Sequence, residues 1–123
     1  MRHLLSLMLL ILGLIHLMPV VGALHATKLT AMYGVVVADP NLEILLRHRA
    51  VLFGLLGGLC LMAAFRPGLQ NTALVFGVVS VASFLGLAWS VGGYNAALAR
   101  VVVADLLAAV CLLIAIWARV KTA

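Results

Sequence analysis

Acidic side chains are nearly missing from this chain: Asp39, Glu43 and Asp105 are the only three, against eight lysines and arginines in 123 residues. Charge of either sign makes up 9% of the sequence, where soluble domains carry about a quarter. That scarcity excludes an ordinary water-soluble globule. With 67% hydrophobic residues and a mean hydropathy of +1.30, it excludes a disordered chain as well. The two cysteines, Cys60 and Cys111, stand singly without metal-ligand spacing and read as small apolar filler. A P-loop, a G-x-G-x-x-G step and an H-E-x-x-H step are all absent. The net charge of +5 leaves no basic face in water, which argues against nucleic-acid binding.

What is present is apolar length. Runs over 4–24, 41–65, 72–92 and 97–118 each exceed the roughly 18 residues that distinguish a membrane span from a core helix. The expected fold is all-α: an integral membrane four-helix bundle, up-down-up-down, forming one domain over residues 1–123 with no room for a separate catalytic domain. Turn chemistry separates the runs. Arg66-Pro67-Gly68 ends the second, with Gly68 permitting the reversal, and Gly92-Gly93-Tyr94-Asn95 separates the third from the fourth. Asp39-Pro40 reads as an N-cap followed by a first-turn proline, with Glu43 near the positive end of the helix. A competing reading takes Arg2-His3, the first run and the small-residue step Val21-Gly22-Ala23 as a cleaved signal peptide, although the run is longer than such peptides use.

With four spans, the termini and the Arg66 turn share one side, which carries Arg2, Arg66, Arg119 and Lys121. The opposite loops carry Lys28, with Arg47, Arg49 and Arg100 inside helices near that end. The positive-inside rule then places the termini in the cytoplasm if helix-embedded arginines are left out; counted in, the two sides tie. Trp89 and Tyr94 near the outer boundary, and Phe65 and Trp117 near the inner, suit an interfacial belt.

Every intramembrane ionisable residue falls in the outer half of this arrangement. Glu43, Arg47, His48 and Arg49 open the second helix, Arg100 and Asp105 lie in the fourth, and His16 stands about 12 Å below the outer end of the first. An arginine at a helix centre costs about 2.5–3.5 kcal/mol on insertion scales, so Glu43 and Asp105 are expected to compensate two of the three. Glu43, Arg47, Ala50, Gly54, Gly58 and Leu61 share an arc of about 80° on the helical wheel. One stripe would thus carry an i,i+4 ion pair and a Gly54-x-x-x-Gly58 packing step. Arg49, about 200° away on the same wheel, is expected to snorkel to headgroups or pair with another chain.

On the fourth helix Ala97, Ala104, Ala108, Cys111 and Ala115 form a small-residue stripe, with Arg100 and Asp105 leaning in from either side. Ser6, Gly13 and His16 share a face of the first helix, and Ser83, Gly86 and Ser90 one of the third. The interior should therefore be tight at the cytoplasmic end and polar at the outer end. The link from His25 to Asp39 is long for a helix connection. Its Leu29, Met32, Tyr33 and Val35 to Val37 are apolar enough to lie on the membrane surface or cap the bundle.

The charges admit two readings: a structural lock that fixes helix register, or a polar pocket for an anionic headgroup, a small anion or a proton. Pro19 frees the Ile15 carbonyl, and His16 beside that kink suits a hydrogen bond to it. The leading function is a non-enzymatic accessory or lipid- or small-ligand-binding module. Arg47 and Arg100 would hold the anion, Glu43 and Asp105 position the arginines, and His16 supply a hydrogen bond or proton, with His48 in the same cluster. No cofactor is implied. Partners are membrane lipids, a second copy or a membrane partner protein. The alternative is an oligomeric proton-coupled small transporter, for which four helices suit a half-transporter, although the first helix lacks a carboxylate. A third reading, a haem-binding electron carrier, rests on His16 and His48 alone.

The run Asp39-Pro40-Asn41-Leu42 through Leu45-Leu46-Arg47-His48-Arg49-Ala50-Val51-Leu52-Phe53-Gly54-Leu55-Leu56-Gly57 resembles a family of small bacterial four-helix integral membrane proteins of unknown function. Gly13-Leu14-Ile15-His16-Leu17 with Pro19, and Tyr33-Gly34, extend the likeness over nearly the whole chain. The resemblance implies this fold and a multi-pass protein of the bacterial inner membrane; it implies no activity. Members sometimes carry the name phosphopantetheine adenylyltransferase. Nothing in these residues supports it, since no soluble nucleotide fold fits and no His-x-Gly-His step exists.

Overall fold

A computed structural model describes residues 1–23, 26–36 and 38–122, and among them the chain is helical with no strand. Five α-helices follow in order: α1 Arg2–Leu17, α2 Ala26–Tyr33, α3 Pro40–Phe65, α4 Gln70–Val91 and α5 Ala96–Thr122, with 3-10 turns at Met18–Ala23 and Pro67–Leu69. Four helical stretches are long and apolar enough to cross a membrane: Arg2–Val20, which is α1 with the start of the 3-10 turn, Pro67–Val91, which is α4 with the turn before it, and α3 and α5. Leu24, His25 and Val37, with the side chains of Leu29 and of the Val21-Gly22-Ala23 step, lie outside the described residues.

The helix ends follow from local chemistry. Asp39 accepts from the Asn41 N–H at 2.9 Å, with Pro40 in the first turn and Glu43 behind it. Pro19 has no N–H to offer the Ile15 carbonyl, so the α-ladder of the first span stops at Leu17, short of the expected 24, and the chain tightens into a 3-10 turn. Gly92 and Gly93, at φ 65° and 67°, turn the chain between α4 and α5. Gly68 does not work this way. Positive φ among the described residues is confined to Gly34, Gly92 and Gly93, and the reversal after α3 is made by extended Arg66 and Pro67.

Helix α1 packs against α3 and α5, and α4 against the same two, closing a four-helix ring. Numbering rises along α1 as it falls along α3: Ser6 Oγ donates to the Ala64 carbonyl at 2.7 Å, Gly13 abuts Gly57 and Leu61, and Val20 meets Gly54. At the Ser6 end the interior is tight and apolar, filled by Leu5, Leu9, Leu12, Cys60, Ala63 and Ala115.

Two faces differ from expectation. The buried face of α3 repeats every seven residues through Ala50, Gly57 and Ala64, and Gly58 has no neighbour for a Cβ to meet within 4 Å. The expected stripe is met at Ala50, Gly54 and Leu61, which are buried or abut α1 and the turn after it, and missed at Gly58, because a seven-residue seam drifts about 20° per heptad from a straight wheel. On α4 the buried residues are Gln70, Ala73, Leu74, Gly77 and Val81, while Ser83, Gly86 and Ser90 are exposed. The Ser83 hydroxyl donates to its own helix at the Ser80 carbonyl, 3.0 Å, and needs no partner inside.

The link folds as α2, which packs on α3 and α5. Asn95 clamps it: Nδ2 donates to the Tyr33 and Gly34 carbonyls at 2.9 and 3.2 Å, while Oδ1 accepts from the Leu98 N–H at 2.8 Å and so caps α5. Asn95→Ala should cost about 1–2 kcal/mol, with faster hydrogen exchange in α2 and the first turn of α5 than elsewhere in the chain.

Candidate functional site

Beneath α2 lies a cavity of 480 Å³. Its walls are mostly apolar, from Ile15, Pro19, Met32, Phe53, Val101 and Ala104. Onto it open His16 of α1, Tyr33 of α2, Arg49 of α3, and Arg100 and Asp105 of α5.

His16 is 2% exposed, and its Nδ1 lies 2.8 Å from the Leu12 carbonyl. A carbonyl only accepts, so Nδ1 carries a proton and donates, and Nε2 is the nitrogen left to face the cavity. The acceptor is thus the carbonyl one turn back rather than the expected Ile15 carbonyl beyond the kink. The ring also meets Phe53, centroids 5.7 Å apart.

Arg49 is the arginine that turns inward. Its guanidinium carbon sits 4.5 Å from the Phe53 ring centroid, 5.1 Å from Tyr33 and 5.7 Å from Phe84, and Nη1 donates to the Tyr33 hydroxyl. Three ring faces and a phenol oxygen replace much of the water a guanidinium leaves behind. Asp105, 8% exposed, opens onto the same void within the field of His16 and Arg49. No hydrogen bond or contact ion pair holds its carboxylate among the described residues. Arg100 is exposed at the rim, so of the two charges expected to lean in from α5 only Asp105 does.

The expected pair of Arg47 and Glu43 forms, Nη1 to Oε1 at 3.3 Å, but along one shoulder of α3, with side chains 44% and 37% exposed and neither lining the cavity. His48 is exposed and does not line it either, so it does not face His16 as a bis-histidine site requires. Residues 47 to 49 fan by about 100° each, and only one can face the interior. The seam selects Arg49, which borders Ala50 and lies one turn before Phe53. That i,i+4 Arg–Phe spacing is the local signal that could have identified it; Tyr33 and Asn95 carry no comparable signal.

Tyr33 and Arg49 also line a second cavity, of 600 Å³, toward Leu46, Phe84, Leu87 and Tyr94, so their contact is the partition between two voids. No three His, Cys, Asp or Glu side chains converge on a metal position among the described residues. Chemically, the site offers a guanidinium with donors to spare, a carboxylate free to accept and an imidazole nitrogen, all in apolar surroundings that strengthen each interaction.

Comparison of the chain with protein families, curated proteins and solved structures finds no match.

Proposed function

We propose that the protein is a multi-pass membrane protein whose cavity beneath α2 binds a small amphipathic molecule bearing an anionic group. Trp89 at 89% exposure, with Phe65 and Trp117 also exposed, supports a lipid-facing exterior, since so much bare apolar surface is not tolerated in water. The opposed numbering of α1 and α3 supports an up-down-up-down bundle. The spread of basic residues supports cytoplasmic termini, and the likeness to the small bacterial membrane family supports an inner-membrane location.

In this reading Arg49 holds the anion, Arg100 guards the rim, Asp105 balances Arg49, and His16 Nε2 adds a hydrogen bond. The apolar walls take the body of the ligand. One observation carries it: three long apolar helices each deliver an ionisable side chain to one void. Native mass spectrometry of the protein released from membranes in mild detergent tests it. A co-purifying small molecule should be present in the wild type and in Arg47→Ala and lost in Arg49→Ala; equal adducts in both variants sink the reading.

Asp105, facing the void near His16 without a hydrogen bond, favours a second reading, proton-coupled transport by an oligomer. In liposomes with an internal pH dye, that reading expects a proton flux that Asp105→Asn abolishes.

A further inference from the structure

The opposite end of the bundle holds a different kind of pocket, 290 Å³, where α1 and α4 begin and α3 and α5 end. Arg2, Arg119 and Gln70 line it, with Ser6 and Thr122. Gln70 is only 6% exposed, yet its amide has no hydrogen-bond partner among the described residues, so its polar atoms face the pocket. Arg119 stands at the edge of the pocket: its Nε donates to Asn71 Oδ1 at 2.9 Å on the outer side, and its terminal nitrogens make no hydrogen bond among the described residues.

Charge at this end is unbalanced. The three acids of the chain lie at Asp39 and Glu43, at the start of α3, and at Asp105, in the first half of α5, away from Arg2, Arg66, Arg119 and Lys121. Helix dipoles account for Arg119 and Lys121 in the last turn of α5, but they oppose Arg2 in the first turn of α1. Helix α1 begins here without a side-chain cap, which adds unsatisfied N–H groups of the same polarity, whereas the Leu69 and Gln70 N–H groups at the start of α4 are taken by the Arg66 and Pro67 carbonyls.

We propose that this pocket binds the phosphate of an anionic membrane lipid, with Arg2 and Arg119 neutralising it and the Gln70 amide donating to it. The Ser6 and Thr122 hydroxyl protons are already given to the Ala64 and Arg119 carbonyls, so those oxygens only accept and suit the hydroxyls of a polyol headgroup. The site shares no residue with the cavity beneath α2 and stands or falls separately. It leans on membrane insertion only for the source of the phosphate.

The test is a native mass spectrometry titration of the delipidated full chain with dioctanoyl phosphatidylglycerol, dioctanoyl phosphatidylcholine and inorganic phosphate. Phosphatidylglycerol should bind about tenfold tighter than phosphatidylcholine. Arg2→Ala and Arg119→Ala should each weaken it about fivefold and Gln70→Leu about threefold, while Lys121→Ala, outside the pocket, changes nothing. Inorganic phosphate binding as tightly as phosphatidylglycerol would overturn the lipid assignment in favour of free phosphate. Equal affinity for the two lipids, or a loss in Lys121→Ala matching that in Arg119→Ala, would overturn the site and leave only diffuse attraction. Arg2 is exposed in a first turn, so Arg2→Ala and Arg2→Glu keep the test decisive if Arg119→Ala fails to fold.

Discussion

Arg49→Ala is expected to lower the stability of the detergent-solubilised protein by about 3–5 kcal/mol, and Arg47→Ala by about 1 kcal/mol or less. The two arginines are two residues apart and differ in everything that sets the cost. Arg49 loses contact with three aromatic faces, worth about 0.5–2 kcal/mol each as desolvation increases, and a charge-assisted hydrogen bond to Tyr33 worth about 1.5–3 kcal/mol. It also leaves Asp105 without the guanidinium that shares its cavity. These losses overlap and do not add. Arg47 faces Glu43 across one helical turn with both side chains more than a third exposed, where solvent screening holds such pairs to a few tenths of a kcal/mol. Reversible unfolding followed by circular dichroism ranks the two variants. Arg49→Lys should recover less than half of the loss, because an ammonium keeps the charge but neither the planar stack nor the fork of donors. Equal losses at 47 and 49 would mean that the aromatic cage contributes nothing.

The contrast marks where the sequence was readable and where it was not. The four long apolar helices were legible because runs of Leu, Val and Ala either reach the length a bilayer would require or fall short of it, and the Asp39-Pro40 and Gly92-Gly93 boundaries because capping and positive φ are local. His16 and Asp105 were legible as buried candidates, since each interrupts an otherwise apolar stretch. The facing of α3 was not, because a 100° wheel fixes relative angles but not which angle meets the interior. Here the choice depends on Tyr33, which lies in the preceding link and reaches Arg49 only through the fold. That link hid its helix for a related reason: Thr27, Lys28 and Thr30 break the apolar period of α2, and its stability comes from packing and the Asn95 clamp rather than from its own pattern. The exposed serines of α4 misled in the opposite sense. Small polar residues on one face signal an interface only when their hydroxyls lack a partner in their own helix.

Gly57→Val should be the most damaging single substitution on the α1–α3 seam, and Gly58→Ala, one residue on, should stabilise. A Cβ built on Gly57 would stand 2.9 Å from the Gly13 carbonyl oxygen, 3.1 Å from the Leu17 nitrogen and 2.8 Å from Leu17 Cγ; one on Gly13 would stand 3.0 Å from the Gly57 carbonyl oxygen and 2.8 Å from Leu61. Two of these obstacles are backbone carbonyl oxygens, one on each helix, so no rotamer change clears the space and the helices must part. Overpacking of this kind costs about 1–3 kcal/mol for a single methyl and more for Val, so Gly57→Ala and Gly13→Ala should already lower the melting temperature in detergent. Gly58 meets nothing within 4 Å, and Ala there gains up to about 1 kcal/mol of helix propensity. The consequence reaches the site, because His16 stands one turn beyond Gly13 on α1 and meets Phe53, one turn before Gly57 on α3. Parting the helices at Gly57 pulls that contact open and should release the co-purifying ligand along with the lost stability. If Gly58→Ala instead destabilises as much as Gly57→Ala, the Gly54-x-x-x-Gly58 face is packed after all, against a second copy of the chain, and the relevant unit is an oligomer.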